Sequence, residues 1–206
     1  MIYHYRKQRA CQPNFRQNVT PDPAESCGPY APASTTGSSG RGQAAQAAEG
    51  PGWPLRGGHD TIAMLAVDAS GSVAAGCSTN GAIHKVPGRV GDGSIPGGGA
   101  YADSEAGACG ATGDGDTALR FLPCYQVVES MRLGAAPAEA AAEAVARIAR
   151  RAPGYVGAVV ALDVRGRHGA ACHGWPRFQY SLRSAATNGV EVVEIECAGS
   201  GTATAR

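Results

Sequence analysis

The feature that most constrains this 206-residue chain is a boundary in its pattern at Thr61. Residues 31–58 are built largely of Ala, Gly, Ser, Pro and Gln without apolar periodicity, the composition of a linker. The tract closes on Gly57-Gly58-His59-Asp60. Thr61 then opens the apolar run Thr61–Val67, which reads as a strand. Asp68–Gly71 supplies turn residues and Ser72–Ser78 returns, so a hairpin is predicted. Its nearly continuous apolar character calls for a sheet covered on at least one face. The chain thus divides into 1–60, with a Cys11–Cys27 segment rich in Pro and the linker, and 61–206, where the patterned structure lies.

After the hairpin, residues 81–115 are glycine-rich and are expected to be loops. Asp116 can cap a helix running to about Leu133, with Gly134 at its end. A second helix has Pro137 in its first turn, an apolar stripe at Ala138, Ala141, Val145 and Ile148, and Arg147, Arg150 and Arg151 near its end. Pro153-Gly154 stops it. Strands are expected near 156–164, 168–173, 177–184 and 190–196, the last two joined by Asn188-Gly189. Strands, then helices, then strands give an α+β layer arrangement and not a βαβ alternation. Alanine is the commonest residue and there are 30 glycines, so a 43% hydrophobic content corresponds to a thin core.

A net charge of +1 argues against a nucleic-acid or polybasic membrane binder, which needs a basic face. No apolar run approaches the roughly 20 residues of a membrane helix. The start, Met1–Ala10, is charged but no apolar stretch follows, so it does not read as a signal peptide. Seven cysteines include no CxxC pair, so a zinc ribbon or thioredoxin-like motif is unsupported, and the odd number leaves at least one thiol free or intermolecular. Asn18-Val19-Thr20 is a glycosylation sequon, relevant only in a secreted chain.

Four segments carry candidate chemistry. A Thr at the start of a rigid strand, preceded by a glycine hinge and an acid, suits a chain that cuts itself between Asp60 and Thr61. The freed hydroxyl of Thr61 would then be the nucleophile and its own α-amine the base. The plainer reading is a good strand residue after a hinge. Thr79 falls near Thr61 if the hairpin pairs, or is simply a turn hydroxyl. Arg89 and Asp92, three apart on a glycine-rich loop, can hold the carboxylate and ammonium of a zwitterion, or pair with each other in solvent. Pro96 spoils a dinucleotide-type glycine motif in that loop. Thr112 and Gly113, just before a helix, can offer a hydroxyl and backbone N–H groups to an oxyanion, alongside an ordinary helix cap.

Six pieces in order (HDTI at His59–Ile62, AAG-STNG at 74–81, GRVGD at Gly88–Asp92, IPG-GAYAD at 95–103, ATG-GD at 111–116 and RFLP at Arg120–Pro123) resemble glycosylasparaginase (aspartylglucosaminidase), an N-terminal nucleophile hydrolase family. The likeness extends over nearly all of 59–173, and to residues around Cys11, Pro21–Pro23 and Cys27–Tyr30. It implies an αββα sandwich, of which this chain holds the β-chain half and the end of the α chain. It implies cleavage at Asp60–Thr61, Thr61 as nucleophile and Thr79 supporting it. Arg89 would bind the substrate α-carboxylate, Asp92 its α-ammonium, and Thr112 with Gly113 would form the oxyanion hole. The implied reaction is hydrolysis of the N4-(β-N-acetylglucosaminyl)-L-asparagine amide, with no cofactor and no metal. Implied too are a dimer of cleaved αβ protomers, a lysosomal or, in bacteria, periplasmic location, and disulfides Cys11–Cys27 and Cys172–Cys197, which would leave Cys77, Cys109 and Cys124 as free thiols. Ala63 stands where the family has Gly, and Gly93-Ser94 where it has Ser-Pro. The family's α chain begins well before the counterpart of Cys11, so the chain resembles a fragment or a truncated form. Two alternatives remain: an L-asparaginase or isoaspartyl dipeptidase of the same superfamily, and a non-catalytic truncated product.

Overall fold

The computed structural model describes residues 19–20, 31–32, 61–82, 88–187 and 189–199. The chain divides into two compact units, Met1–His59 with Gly81–Arg89, and Asp60–Asn80 with Val90–Arg206. In the first unit the described residues include a short antiparallel pair, β1 (Val19–Thr20) with β2 (Ala31–Pro32).

The second unit opens with the hairpin, β3 (Thr61–Val67) and β4 (Val73–Thr79), paired antiparallel from Thr61 opposite Thr79 to Val67 opposite Val73. Its turn is tied by Asp68, whose carboxylate accepts from the Ser70 and Ser72 amides. A 3-10 turn at Asp92–Ser94 leads to β5 (Ala100–Asp103) and β6 (Gly107–Gly113). Helices α1 (Gly115–Ala118), α2 (Pro123–Arg132) and α3 (Pro137–Arg151) follow, then β7 (Gly157–Asp163), β8 (His168–His173), β9 (Arg177–Leu182) and β10 (Glu191–Glu196). Strands β5, β6, β7 and β8 form one antiparallel sheet in sequence order, and β9 with β10 a second two-stranded one. Helices α2 and α3 pack on the four-stranded sheet, and β3 and β4 pack against β5, β6 and β7. This is an α+β unit, as the order of elements predicts.

Two expectations are corrected. The glycine-rich region 81–115 contains β5 and β6, not only loops. Its residues lack the β-branched signature of a strand, but β6 has layers on both sides, and small side chains are what such a position admits. The helix expected from Asp116 to Leu133 is two helices. Leu122 adopts φ 50°, left-handed, immediately before Pro123, and a residue preceding proline is disfavoured in the α region. The first helix is capped by Asp114, whose carboxylate accepts from the Asp116 and Thr117 amides, and not by Asp116.

The main core lies between the helices and the four-stranded sheet. Cys109 and Val159 from the sheet meet Val127, Val128, Ala140, Ala141 and Ala144 from the helices, all with no exposed surface. On α3 the buried stripe runs Pro137, Ala140, Ala141, Ala144, Val145 and Ile148, while Ala138, expected to be part of it, is exposed. Alanine-rich packing lets backbones approach closely: a Cβ on Gly169 of β8 would lie 2.6 Å from the Ala138 Cα. Two further links hold the block together. Arg132 at the end of α2 pairs with Asp103 on β5 and with Glu105 beside it. Asp163 at the end of β7, almost fully buried, pairs with Arg167 at 2.6 Å.

The cysteines depart from expectation in one respect. Cys109 on β6 and Cys124 on α2 are joined in a disulfide, with Cα atoms 5.0 Å apart. Both residues are fully buried where helix and sheet meet, so packing brings together two thiols that lie 15 residues apart in sequence. Cys172 and Cys197 form a second disulfide, tying β8 to the end of β10. Cys77 is the described cysteine outside a disulfide. Cys11 and Cys27 lie outside the described residues.

Candidate active site

The register of the hairpin builds the centre of the site. Thr61 is the first residue of β3 and pairs with Thr79, the last of β4. Their Oγ1 atoms lie 2.8 Å apart, a hydrogen bond that either hydroxyl can donate. Alternation along a strand puts Ala63 on the same face as Thr61, and Cys77 on the same face as Thr79. That face looks toward the four-stranded sheet. The opposite face carries Ile62 and Met64, which are 68% and 73% exposed.

Thr112 and Gly113 end β6, opposite Ala158 and Gly157 of β7. Gly113 has φ 119°, outside the range side chains adopt easily, and a Cβ there would run into Val156 and Gly157. Thr61 and Thr112 line one cavity of about 380 Å³, with Gly110, Ala111, Ala158 and Val160 among its walls and His168 and Tyr180 also lining it. The His168 Nδ1 and the Tyr180 hydroxyl are 2.8 Å apart, and burial pushes the Tyr180 phenol up.

Asp92 sits in the 3-10 turn, 7% exposed, and its carbonyl accepts from the Ile95 and Gly99 amides. The turn packs on the Cys77 and Thr79 end of β4. The Cys77 thiol donates to the Gly93 carbonyl at 3.4 Å, and a Cβ on Gly93 would lie 3.0 Å from the Thr79 methyl. Burial pushes the Cys77 thiol up and the Asp92 carboxylate adds to this. A thiol held protonated is a poor nucleophile, so the hydroxyls are the reactive candidates at this end of the hairpin. Arg89 belongs to the other unit, together with Gly81 and Gly88. Asp60 lies outside the described residues.

Tyr155, just before β7, is a neighbour that sequence reasoning does not single out. It is 1% exposed, and its ring fills the space that a side chain on Gly157 would take. Burial, with Asp92 and Asp114 nearby, raises its phenol well above the usual range. A lone Tyr after Pro153-Gly154 gives no signal of this in sequence.

The chain is similar to known proteins. An asparaginase family profile matches residues 2–191. The chain belongs to the asparaginase family. It is 53% identical over 195 residues to a probable isoaspartyl peptidase/L-asparaginase 3 of Arabidopsis thaliana, covering 92% of this chain and 54% of that protein. It is 49% identical over 175 residues to the N(4)-(β-N-acetylglucosaminyl)-L-asparaginase of Rattus norvegicus, covering 84% and 48%. A putative N(4)-(β-N-acetylglucosaminyl)-L-asparaginase of Drosophila melanogaster is 49% identical over 191 residues, covering 92% and 48%. The chain therefore spans about half the length of the curated relatives it matches.

Proposed function

We propose that this chain carries the nucleophile-bearing part of an amidohydrolase that cleaves the N4-(β-N-acetylglucosaminyl)-L-asparagine amide. The observation that carries the reading is the 2.8 Å contact between Thr61 and Thr79 at a cavity that Thr112 also lines. Cleavage of Asp60–Thr61 frees the α-amine of Thr61. That amine takes the Thr61 hydroxyl proton as Oγ1 attacks the β-carbonyl carbon, with the Thr79 hydroxyl lowering the charge that develops on Oγ1. The carbonyl oxygen becomes an oxyanion, held by the Thr112 hydroxyl and the Gly113 amide. The C–N bond then breaks and the proton passes to the departing glycosyl amine. Water adds to the aspartyl ester, releases L-aspartate and returns the proton to Oγ1. Arg89 binds the substrate α-carboxylate and Asp92 its α-ammonium. The reaction needs no metal or organic cofactor.

The same reading places the chain in an αββα sandwich assembled as a dimer of αβ protomers, in the lysosome or, in a bacterium, the periplasm. The similarity to a plant isoaspartyl peptidase/L-asparaginase supports a second reading, cleavage of L-asparagine or β-aspartyl peptides by the same residues. Release of L-aspartate from glycosylasparagine, L-asparagine and a β-aspartyl dipeptide separates the two. Faster turnover of glycosylasparagine is expected, and faster turnover of free asparagine would overturn the first reading. Turnover unchanged by Thr61→Ala would overturn both.

A further inference from the structure

We infer that Ala63 and Gly110 form a size-matched spacer that fixes the separation of Thr61 from Thr112. The inference rests on the roles proposed for those two threonines. Each member of the pair lies two residues from one of them, Ala63 after Thr61 on β3 and Gly110 before Thr112 on β6. The two-residue period of a strand puts each on the same face as its threonine. The structure brings these faces together. A Cβ built on Gly110 would lie 2.6 Å from the Ala63 Cβ and 3.4 Å from the Leu65 Cδ2. Carbon atoms pack at about 3.5–4.0 Å, so the contact has room for one methyl and not for two.

Here the methyl is on the hairpin. That methyl has to be accommodated by the facing strand. Gly110 does that. The arrangement matters for chemistry because this is one of the contacts by which the hairpin packs on β6, and the neighbouring residues on the same faces are, on the proposed function, the hydroxyl that attacks and the hydroxyl that receives the oxyanion. A second methyl would lift the β3 end of the hairpin by roughly 1 Å from β6, given ordinary packing distances. Misplacement on that scale can cost about 10²-fold in rate. Arg89 and Asp92 are on a different segment, so substrate affinity is not expected to follow. Ala63 and Gly110 are positioning residues and touch no reacting atom.

The test is a swap made in the full 206-residue chain: Gly110→Ala, Ala63→Gly and the double variant, with kcat and KM on glycosylasparagine and the melting temperature of each. Gly110→Ala is expected to lower kcat by about 10²-fold and leave KM within about 2-fold, the split of a lost transition-state geometry. It is also expected to melt about 5 °C or more below the parent, as overpacking does. The double variant again has one methyl at the contact and is expected to recover kcat to within about 3-fold, the sign of direct coupling. Wild-type kcat in Gly110→Ala, or a double variant no better than Gly110→Ala, overturns the inference. If Gly110→Ala does not fold, a folded double variant supports it and an unfolded one overturns it. If the parent shows no turnover that depends on Thr61, the functional reading has failed. The spacer is then judged by crystal structures of the parent and Gly110→Ala: a Cα separation of residues 61 and 112 widened by about 1 Å supports it, an unchanged one overturns it.

Discussion

The hairpin β3–β4 and the block of β5–β8 with its helices are built on opposite terms. The block buries its apolar residues between two layers: Cys109, Val127, Val128, Ile148 and Val159 have no exposed surface, and a disulfide crosses from sheet to helix. The hairpin has one partly covered face turned to the four-stranded sheet, with Thr61 and Thr79 at its open end, and one face where Ile62 and Met64 stand in solvent. The difference separates two jobs. On the proposed function the block supplies the oxyanion end, Thr112 and Gly113, and it offers a floor of small residues. On the same proposal the hairpin supplies the reacting hydroxyls, and it packs on that floor.

The largest expected effect is at the open end of the hairpin. Thr61→Ala should lower turnover by about 10⁴-fold or more, while Thr61→Ser keeps a hydroxyl and retains part of the activity. Neither should change the melting temperature much, because Thr61 lies outside the buried core. A Thr61→Ala chain with normal activity would break the assignment of chemistry to the hairpin.

Next comes stability. Ile148→Ala, in the block, should cost about 2–5 kcal/mol in denaturant unfolding. Met64→Ala, on the open hairpin face, should stay within about 0.5 kcal/mol. Equal losses would mean that Met64 is covered in solution and that the two faces do not differ as described. Thr79→Val keeps the shape of Thr79 and removes its hydroxyl. It should lower kcat by about 10–10²-fold with little change in unfolding free energy, the behaviour of a hydrogen-bonding partner to the nucleophile.

The smallest effect concerns acid. Burial would raise the Asp163 carboxyl, but the Arg167 side chain and the Arg165 and Arg167 amides outweigh it and hold it below the usual range. A group lowered in the folded state contributes stability above its unfolded value, near about 3.9, and loses it as pH falls through the folded value. Asp163→Asn should therefore cost about 1–3 kcal/mol at pH 7 and flatten the fall in stability below about pH 4. Parallel acid limbs for parent and variant would show that this carboxylate does not anchor the block.

The sequence is most readable where side chains alternate or repeat. The hairpin, α3 and the strands β7 to β10 follow from apolar runs, proline and turn residues, and the facing positions of Thr61 and Thr79 follow from the hairpin alone. What sequence hides is packing by absence. Strand β6 reads as a loop because Gly107, Gly110 and Gly113 remove the side chains that mark a strand, yet those gaps are what its neighbours on both faces require. The Cys109–Cys124 bond is equally hidden, since it depends on how α2 lies across β6. Tyr155 shows a third limit: its place beneath the β7 start follows from a missing side chain at Gly157. The six ordered motifs compensate for much of this, because they mark Thr112 and Gly113 as candidate site residues without a correct strand assignment.

The central claim is that Thr61 becomes a chain terminus whose hydroxyl reacts. Intact-mass spectrometry of the purified 206-residue chain tests it directly. Two species are expected, one ending at Asp60 and one beginning at Thr61, and Thr61→Ala should give a single uncut chain. A parent that stays uncut while still releasing L-aspartate would contradict the claim.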